Sequence, residues 1–361
     1  MVLGLKPYQG GKPISQLKRE KGISRIIKLA SNENPFPPAK KVIKALRDSL
    51  TEINLYPDGN GYYLRNELAK RAKLKRDNII LGNGSSEVIS MALETFVSPG
   101  EEVIIPEPSF IIYNGLIKLR DALPIIIPLK NYKLNLPGML KAINKKTKMV
   151  ILCNPNNPTG TIIKKDELKK FINGISKNII ILSDEAYLEY VEDRNFGSAF
   201  PYLKSEKNVI IARTFAKSSS LAGLRIGYGI AKTDIIDEMN KVRPPFNTSS
   251  LAQVAALTAL KDREHLKRTK KNNREEKRYL YKNLEKLGLS FIPTQTNFIC
   301  INLERDAKLV CQKLEKEGVI IRDMSNFNLP NFIRVTIGTH QENLFFINKL
   351  KKILHTFRPS T

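Results

Sequence analysis

The chain has 361 residues and a formal net charge of +25, with 42% hydrophobic and 26% charged residues. This is globular composition, enough for one large or two medium domains with a substantial core, and it argues against a disordered chain. No apolar run approaches the ~20 residues of a membrane span; the start, Met1 to Pro7, carries neither a signal-peptide core nor a presequence; and three scattered cysteines (Cys153, Cys300, Cys311) lack metal-ligand spacing and point to a reducing cytoplasm.

The cationic residues are spread along the chain. Their densest run, Lys267 to Lys282, includes Glu275 and Glu276 and reads as the solvated face of a long helix. A primary nucleic-acid role is set aside on that ground, and a basic field attracting anionic metabolites is kept.

In chain order, residues 1–30 show no helix–strand unit of their own and are expected to lie as an arm on the C-terminal part. Residues 31–240 read as a large α/β domain. Its strands are expected at Asn78–Leu81, Val103–Ile105, Ile125–Ile127, Met149–Leu152, Ile179–Leu182, Asn208–Ala212 and Ile226–Ile230. Helices fit Ser86–Val97, Phe110–Arg120 and Lys165–Ile172, the βαβ rhythm of a mostly parallel, doubly wound sheet. From Asp234 a long helical stretch, broken near Arg243-Pro244-Pro245, runs to about Leu287. Strands at Asn297–Asn302, Val319–Arg322 and Phe332–Thr336 then make residues 241–361 a smaller α/β domain.

The loops after the large-domain strands carry the chemistry, as loops beyond strand ends do in α/β folds. Gly82-Asn83-Gly84-Ser85-Ser86-Glu87 leads into a helix and reads either as a plain capped start or as an anion site built on backbone N–H groups. Cys153-Asn154-Pro155-Asn156-Asn157-Pro158-Thr159-Gly160 is a rigid loop in which an amide could meet a ring hydroxyl, or only a turn. Ser183-Asp184-Glu185-Ala186-Tyr187 puts a carboxylate at a buried strand end, which is costly unless it is paired with a cation; an Asp N-cap is the plainer reading. The segment Thr214 to Arg225 offers Lys217 for a Schiff base, with Thr214, Ser218 or Ser219 and Arg225 for a phosphate. A phosphorylated aldehyde is pyridoxal phosphate. The three histidines (His265, His340, His355) all lie C-terminally, away from Asp184-Glu185, so a metal site is not expected. A nucleophile elbow of Gly-x-Ser-x-Gly type is missing, which argues against a Ser-His-Asp hydrolase.

With Asn157-Pro158-Thr159-Gly160, Asp184-x-x-Tyr187 and Thr214-x-x-Lys217…Arg225 in order, the chain resembles the fold-type I, aspartate-aminotransferase superfamily over essentially its whole length. The resemblance implies a large domain with a seven-stranded, mostly parallel sheet between helices, and pyridoxal 5'-phosphate as cofactor. It implies that Lys217 carries the cofactor and moves the proton, that Asp184 pairs with the pyridine nitrogen, and that Asn157 and Tyr187 contact the ring oxygen. Ser85, Ser86, Thr214, Ser218 or Ser219, and Arg225 would surround the phosphate. Leu29 to Pro38 (with Asn32-Glu33-Asn34-Pro35), Tyr56-Pro57-Asp58 and Pro106 to Phe110 resemble histidinol-phosphate aminotransferases more narrowly. That resemblance implies a homodimer with Tyr56 crossing to the neighbouring phosphate, Phe110 stacked on the ring, and Tyr8 and Asn32 at the substrate. Arg334 would grip a carboxylate and Arg322 the substrate phosphate, Asn157 also facing substrate. The implied reaction exchanges an amino group between histidinol phosphate and imidazole-acetol phosphate, with glutamate and 2-oxoglutarate as the other pair. The alternatives are an aromatic-amino-acid aminotransferase or a threonine-phosphate decarboxylase.

Overall fold

The computed structural model describes residues 10–23 and 25–357. The N-terminal part has a helix–strand unit after all: α1 (Ile14–Lys21) and β1 (Ile27–Lys28). Its helical signal is faint because one residue, Leu17, is fully buried on an otherwise charged helix. Then come α2 (Lys40–Asp48), α3 (Tyr62–Ala72), β2 (Ile79–Gly82), α4 (Ser85–Phe96), β3 (Glu102–Glu107), α5 (Ile112–Leu119), β4 (Leu123–Pro128), α6 (Leu136–Lys141) and β5 (Thr147–Cys153). The large sheet is completed through α7 (Lys165–Gly174), β6 (Ile180–Asp184), β7 (Asn208–Thr214) and β8 (Gly227–Ile230).

Seven strands form one sheet in the order β2-β8-β7-β6-β5-β3-β4. Four of the six neighbouring pairs are parallel, and β8 is antiparallel to both β2 and β7. The central strands are apolar on both faces because helices cover both. One face packs Val150, Leu152, Ile181 and Ile211 against α7 and the later helix Ser250–Leu260; the other packs Ile151, Leu182 and Ile210 against α4 and the later helix Thr233–Val242.

The C-terminal part continues with α8 (Thr233–Val242), α9 (Ser250–Leu260), α10 (Arg263–Lys286), β9 (Ser290–Ile292), β10 (Phe298–Asn302), α11 (Ala307–Lys316), β11 (Val319–Ile320), β12 (Arg322–Asp323), β13 (Phe332–Thr336) and α12 (His340–His355). The long helical stretch is broken twice, at Arg243–Ser249 and again at Lys261-Asp262, where Asp262 caps α10 by accepting from His265 N–H. Ala252, Ala255 and Ala256 of α9 belong to the large sheet's core, so that core extends past residue 240, the limit set from sequence. Helix α10 buries Thr269, Asn273, Glu276, Lys277, Leu280 and Leu284 along one face, Lys277 paired with Glu192 at 2.7 Å, and leaves Lys267, Lys270, Lys271, Lys282 and Lys286 to solvent. The second sheet runs β12-β13-β10-β9, while β1 pairs in parallel with β11, fastening residues 27–28 to the C-terminal part.

Candidate active site

The cavity opens at the carboxyl ends of β2, β5, β6 and β7 and is closed from the other side by β12 and β13. Its volume is about 160 Å³, and it is lined by Asn157, Asp184, Lys217, Arg225, Arg322 and Arg334 among others. Strand register does the placing. Cys153 pairs with Asp184 and Asp184 with Ala212, so three adjacent strands end at one level and deliver their following loops to one floor.

Lys217 stands half-buried at the centre, its Nζ donating to the Ser31 carbonyl at 3.3 Å and standing 5.6 Å from the Tyr187 ring centroid. Burial, with Arg334 close by, lowers its ammonium to about 8. Asp184 is 3% exposed. Its Oδ2 accepts from the Tyr113 hydroxyl at 2.7 Å and its Oδ1 from Ala186 N–H at 3.2 Å. Burial raises its carboxyl to about 6, against the pull of those two donors. A buried carboxylate of this kind suits a cationic partner.

Gly84 begins α4 at φ +79°, and its missing side chain leaves room for the Arg225 guanidinium, whose Nη2 would stand 2.7 Å from a β-carbon there. Glu87 in the first turn faces away, accepting from Asn83 N–H and from Asn247. Ser85 and Ser86, in the first turn of α4 where N–H groups lack intrahelical partners, line the cavity with Arg225 and Thr214, an arrangement that fits a phosphate. Ser218 and Ser219 are not brought there. They line a neighbouring pocket with Arg71, Arg263 and His265, and Thr214 borders both spaces. The Ser218 carbonyl accepts from Asn34, and Ser220 turns the chain at φ +62°.

Asn157 and Tyr187 stand across the floor from Asp184. The Tyr187 hydroxyl accepts from Asn32 Nδ2 at 2.9 Å, and Asn157 Oδ1 accepts from Arg334 Nη1. Arg334 also donates to the Ala30 carbonyl at 3.0 Å. Phe110 lines the cavity with Asp184 and meets Tyr113 edge-on. Arg322 and Arg334 are direct partners across the antiparallel β12–β13 pair, so both side chains leave the same face, towards the cavity. Like charges set side by side are unfavourable without an anion between them.

Asn297 does not line the cavity; its Nδ2 donates to the Asn32 carbonyl and so holds the Asn32 turn. Phe298 is fully buried beneath Tyr187. Tyr56 is 82% exposed, stacked on Phe246 at 4.6 Å, and takes no part in this chain's own cavity. Tyr8 lies outside the described residues. The sequence reading missed Tyr113, Ile111 and Phe327; for Tyr113 the available signal was its place one helical turn beyond Phe110. Among the described residues no group of three His, Cys, Asp or Glu side chains is placed to hold a metal, and no helix is long and apolar enough to cross a membrane.

The family model for class I and II aminotransferases matches residues 24–350. A histidinol-phosphate aminotransferase of Caldicellulosiruptor saccharolyticus is 44% identical over 98% of this chain and 99% of its own. One from Moorella thermoacetica is 43% identical over 98% of this chain and 92% of its own. Among solved structures, histidinol-phosphate aminotransferase from Sinorhizobium meliloti, in complex with pyridoxal-5'-phosphate, superposes with a TM-score of 0.90 at 25% identity, covering 96% of each chain.

Proposed function

Because the chain belongs to the class I and II aminotransferase family, we propose that it exchanges an amino group between histidinol phosphate and imidazole-acetol phosphate, with glutamate and 2-oxoglutarate as the second pair. One observation carries the reading. A single cavity holds Lys217, Asp184, Arg225 and a paired Arg322–Arg334, in a chain over 40% identical along nearly its whole length to proteins of that name.

Pyridoxal 5'-phosphate, when bound, supplies an aldehyde for the substrate amine and a ring that accepts electron density from the α-carbon. The residues divide the remaining work. Ser85, Ser86, Thr214 and Arg225 hold the cofactor phosphate at the α4 N-terminus; Ser218 and Ser219, facing the neighbouring pocket, are left out of that role. Asp184 pairs with the ring nitrogen, Asn157 and Tyr187 hold the ring oxygen, and Phe110 covers the ring face. Lys217, its ammonium lowered to about 8, can take a proton from the substrate α-carbon and deliver it to the cofactor's aldehyde carbon, on the far side of the substrate nitrogen. Arg334 exchanges its amide and carbonyl partners for a substrate carboxylate, a better acceptor for a fork of N–H groups. Arg322 takes the phosphate of histidinol phosphate or the distal carboxylate of glutamate, with Asn32 beside the substrate.

The working unit we propose is a homodimer in which Tyr56 reaches the partner's phosphate. The exposed apolar face of Ile53, Leu55, Tyr56 and Phe246 supports it. The three buried free cysteines suit a cytoplasmic enzyme.

The test is the set of half-reaction absorbance changes of the cofactor-loaded protein with histidinol phosphate, glutamate, phenylalanine and threonine phosphate in turn. The first two are expected to convert the cofactor fully. A preference for phenylalanine, or release of carbon dioxide from threonine phosphate, overturns the substrate assignment. Arg322→Ala should weaken histidinol phosphate far more than glutamate; equal losses remove its phosphate role.

A further inference from the structure

We infer that Tyr113 is a positioning residue which, by donating its phenol hydrogen to Asp184, keeps the shared proton on the cofactor's ring nitrogen rather than on the carboxylate. The inference rests on the cavity being a pyridoxal-phosphate site.

Tyr113 is 1% exposed on α5, and its side chain touches both groups proposed to hold the ring. Its hydroxyl reaches Asp184 Oδ2 at 2.7 Å, and its ring meets Phe110 edge-on, centroids 5.6 Å apart at 89°. The carboxylate and the floor of the stack are thereby set by one residue.

A carboxylate facing a pyridine nitrogen shares one proton with it, and the proton rests on the more basic of the two. Every donor to the carboxylate makes it less basic and moves the proton towards the ring. Burial acts in the opposite direction, and the Tyr113 hydroxyl is the chief counterweight. Burial and the neighbouring Asp184 charge also hold the Tyr113 phenol well above its usual range, so it stays a donor at any working pH. Without it, the proton moves to Asp184 and the ring becomes a poorer electron acceptor, with no change in the number of protons bound. A contact that only filled space would not have this consequence.

The experiment uses full-length wild-type, Tyr113→Phe and Tyr113→His proteins loaded with pyridoxal phosphate labelled with nitrogen-15 in the ring. It records the nitrogen shift of the bound cofactor, cofactor affinity, and the rate of the histidinol-phosphate half-reaction. Wild type should give a protonated-ring shift. Tyr113→Phe, which keeps the aromatic contact with Phe110, should move the shift towards the unprotonated position and slow the half-reaction about tenfold or more, the order of one hydrogen bond to a charged group. Tyr113→His restores a donor; it should return the shift towards wild type, and it carries the test if the phenylalanine variant does not fold. An unchanged shift and rate in Tyr113→Phe overturn the inference while leaving the cofactor reading standing. A wild-type protein that takes up no labelled cofactor overturns the reading itself.

Discussion

Gly227 offers a sharp test of the proposed phosphate cradle. It begins β8 directly beneath the start of α4, and a β-carbon there would stand 2.5 Å from Ser85 N, 2.6 Å from Gly84 C and 2.7 Å from the Arg213 carbonyl oxygen. Ordinary contact is about 3.5–4 Å, so Gly227→Ala must displace backbone by roughly 1 Å at the N–H groups that would bind phosphate. Gly229, two residues along the same strand, provides the control. A β-carbon there meets Val88 Cγ1 at 2.7 Å and Ile80 Cγ2 at 2.8 Å, side-chain methyls well away from the cradle. Both changes overpack the core and should each cost about 1–3 kcal/mol of stability. Only Gly227→Ala should also lose hydrogen bonds to the phosphate, worth about 1.5–3 kcal/mol each, or roughly 10- to 100-fold in pyridoxal-phosphate affinity. Urea unfolding of the cofactor-free proteins gives the first quantity, and fluorescence titration with pyridoxal phosphate gives the second. Equal affinity losses in the two variants, or wild-type affinity in Gly227→Ala, would refute the assignment of the α4 N-terminus as the phosphate site.

Three other outcomes are expected. In cofactor-free protein, burial disfavours the Lys217 ammonium, so its neutral fraction grows as pH rises through about 8; an ordinary lysine near 10.4 is then about 0.4% neutral, giving Lys217 roughly a 100-fold advantage. Brief exposure to an aldehyde at pH 8, borohydride reduction and peptide mass spectrometry should find the label on Lys217, and label spread over surface lysines would count against its depressed basicity. Leu55→Glu with Phe246→Glu should convert a particle of two chains to one in sedimentation, since Leu55 is 63% and Phe246 45% exposed on the proposed face; an unaltered sedimentation coefficient would move the dimer contact elsewhere. Glu185→Gln should lower unfolding stability by about 3–5 kcal/mol, the cost of leaving a buried charge without its opposite, because Glu185 takes Arg213 at 2.7 Å together with Ser198 and Ala199 N–H; a loss under about 1 kcal/mol fails it.

The seven large-sheet strands are legible in the sequence because each central one is buried on both faces, which turns it into a short unbroken apolar run. Strand ends then locate the site, since the register of β5, β6 and β7 brings their last residues level. Short elements are illegible for the opposite reason: β9 spans three residues, β12 two, and α1 buries little besides Leu17. Side-chain direction is the second limit. Spacing puts Ser218 and Ser219 next to Lys217, but a turn through positive φ at Ser220 accompanies their placement in the neighbouring pocket. Tyr113 escaped notice because an apolar helix with one tyrosine reads as core, and nothing in the local sequence says that its hydroxyl meets a carboxylate 71 residues away.

The cavity's electrostatics make its choice of partner intelligible. Among the described lining residues, Lys217, Arg225, Arg322 and Arg334 face one carboxylate, Asp184. Burial first, and then the neighbouring Arg334, lowers the basicity of the lysine, since guanidinium does not give up its proton. Under the proposed function, a cofactor phosphate at Arg225 and a substrate anion at the Arg322–Arg334 pair would bring negative charge into this cavity. The β12–β13 register sets the Arg322 and Arg334 guanidinium groups on one face of adjacent strands, where like charges repel and an anion between them is favourable. A monocarboxylate brings one negative charge to that pair, whereas a phosphate monoester or a dicarboxylate brings two. The arrangement thus favours two chemically different dianions over an uncharged aromatic side chain, as a pocket serving histidinol phosphate and glutamate in alternation requires.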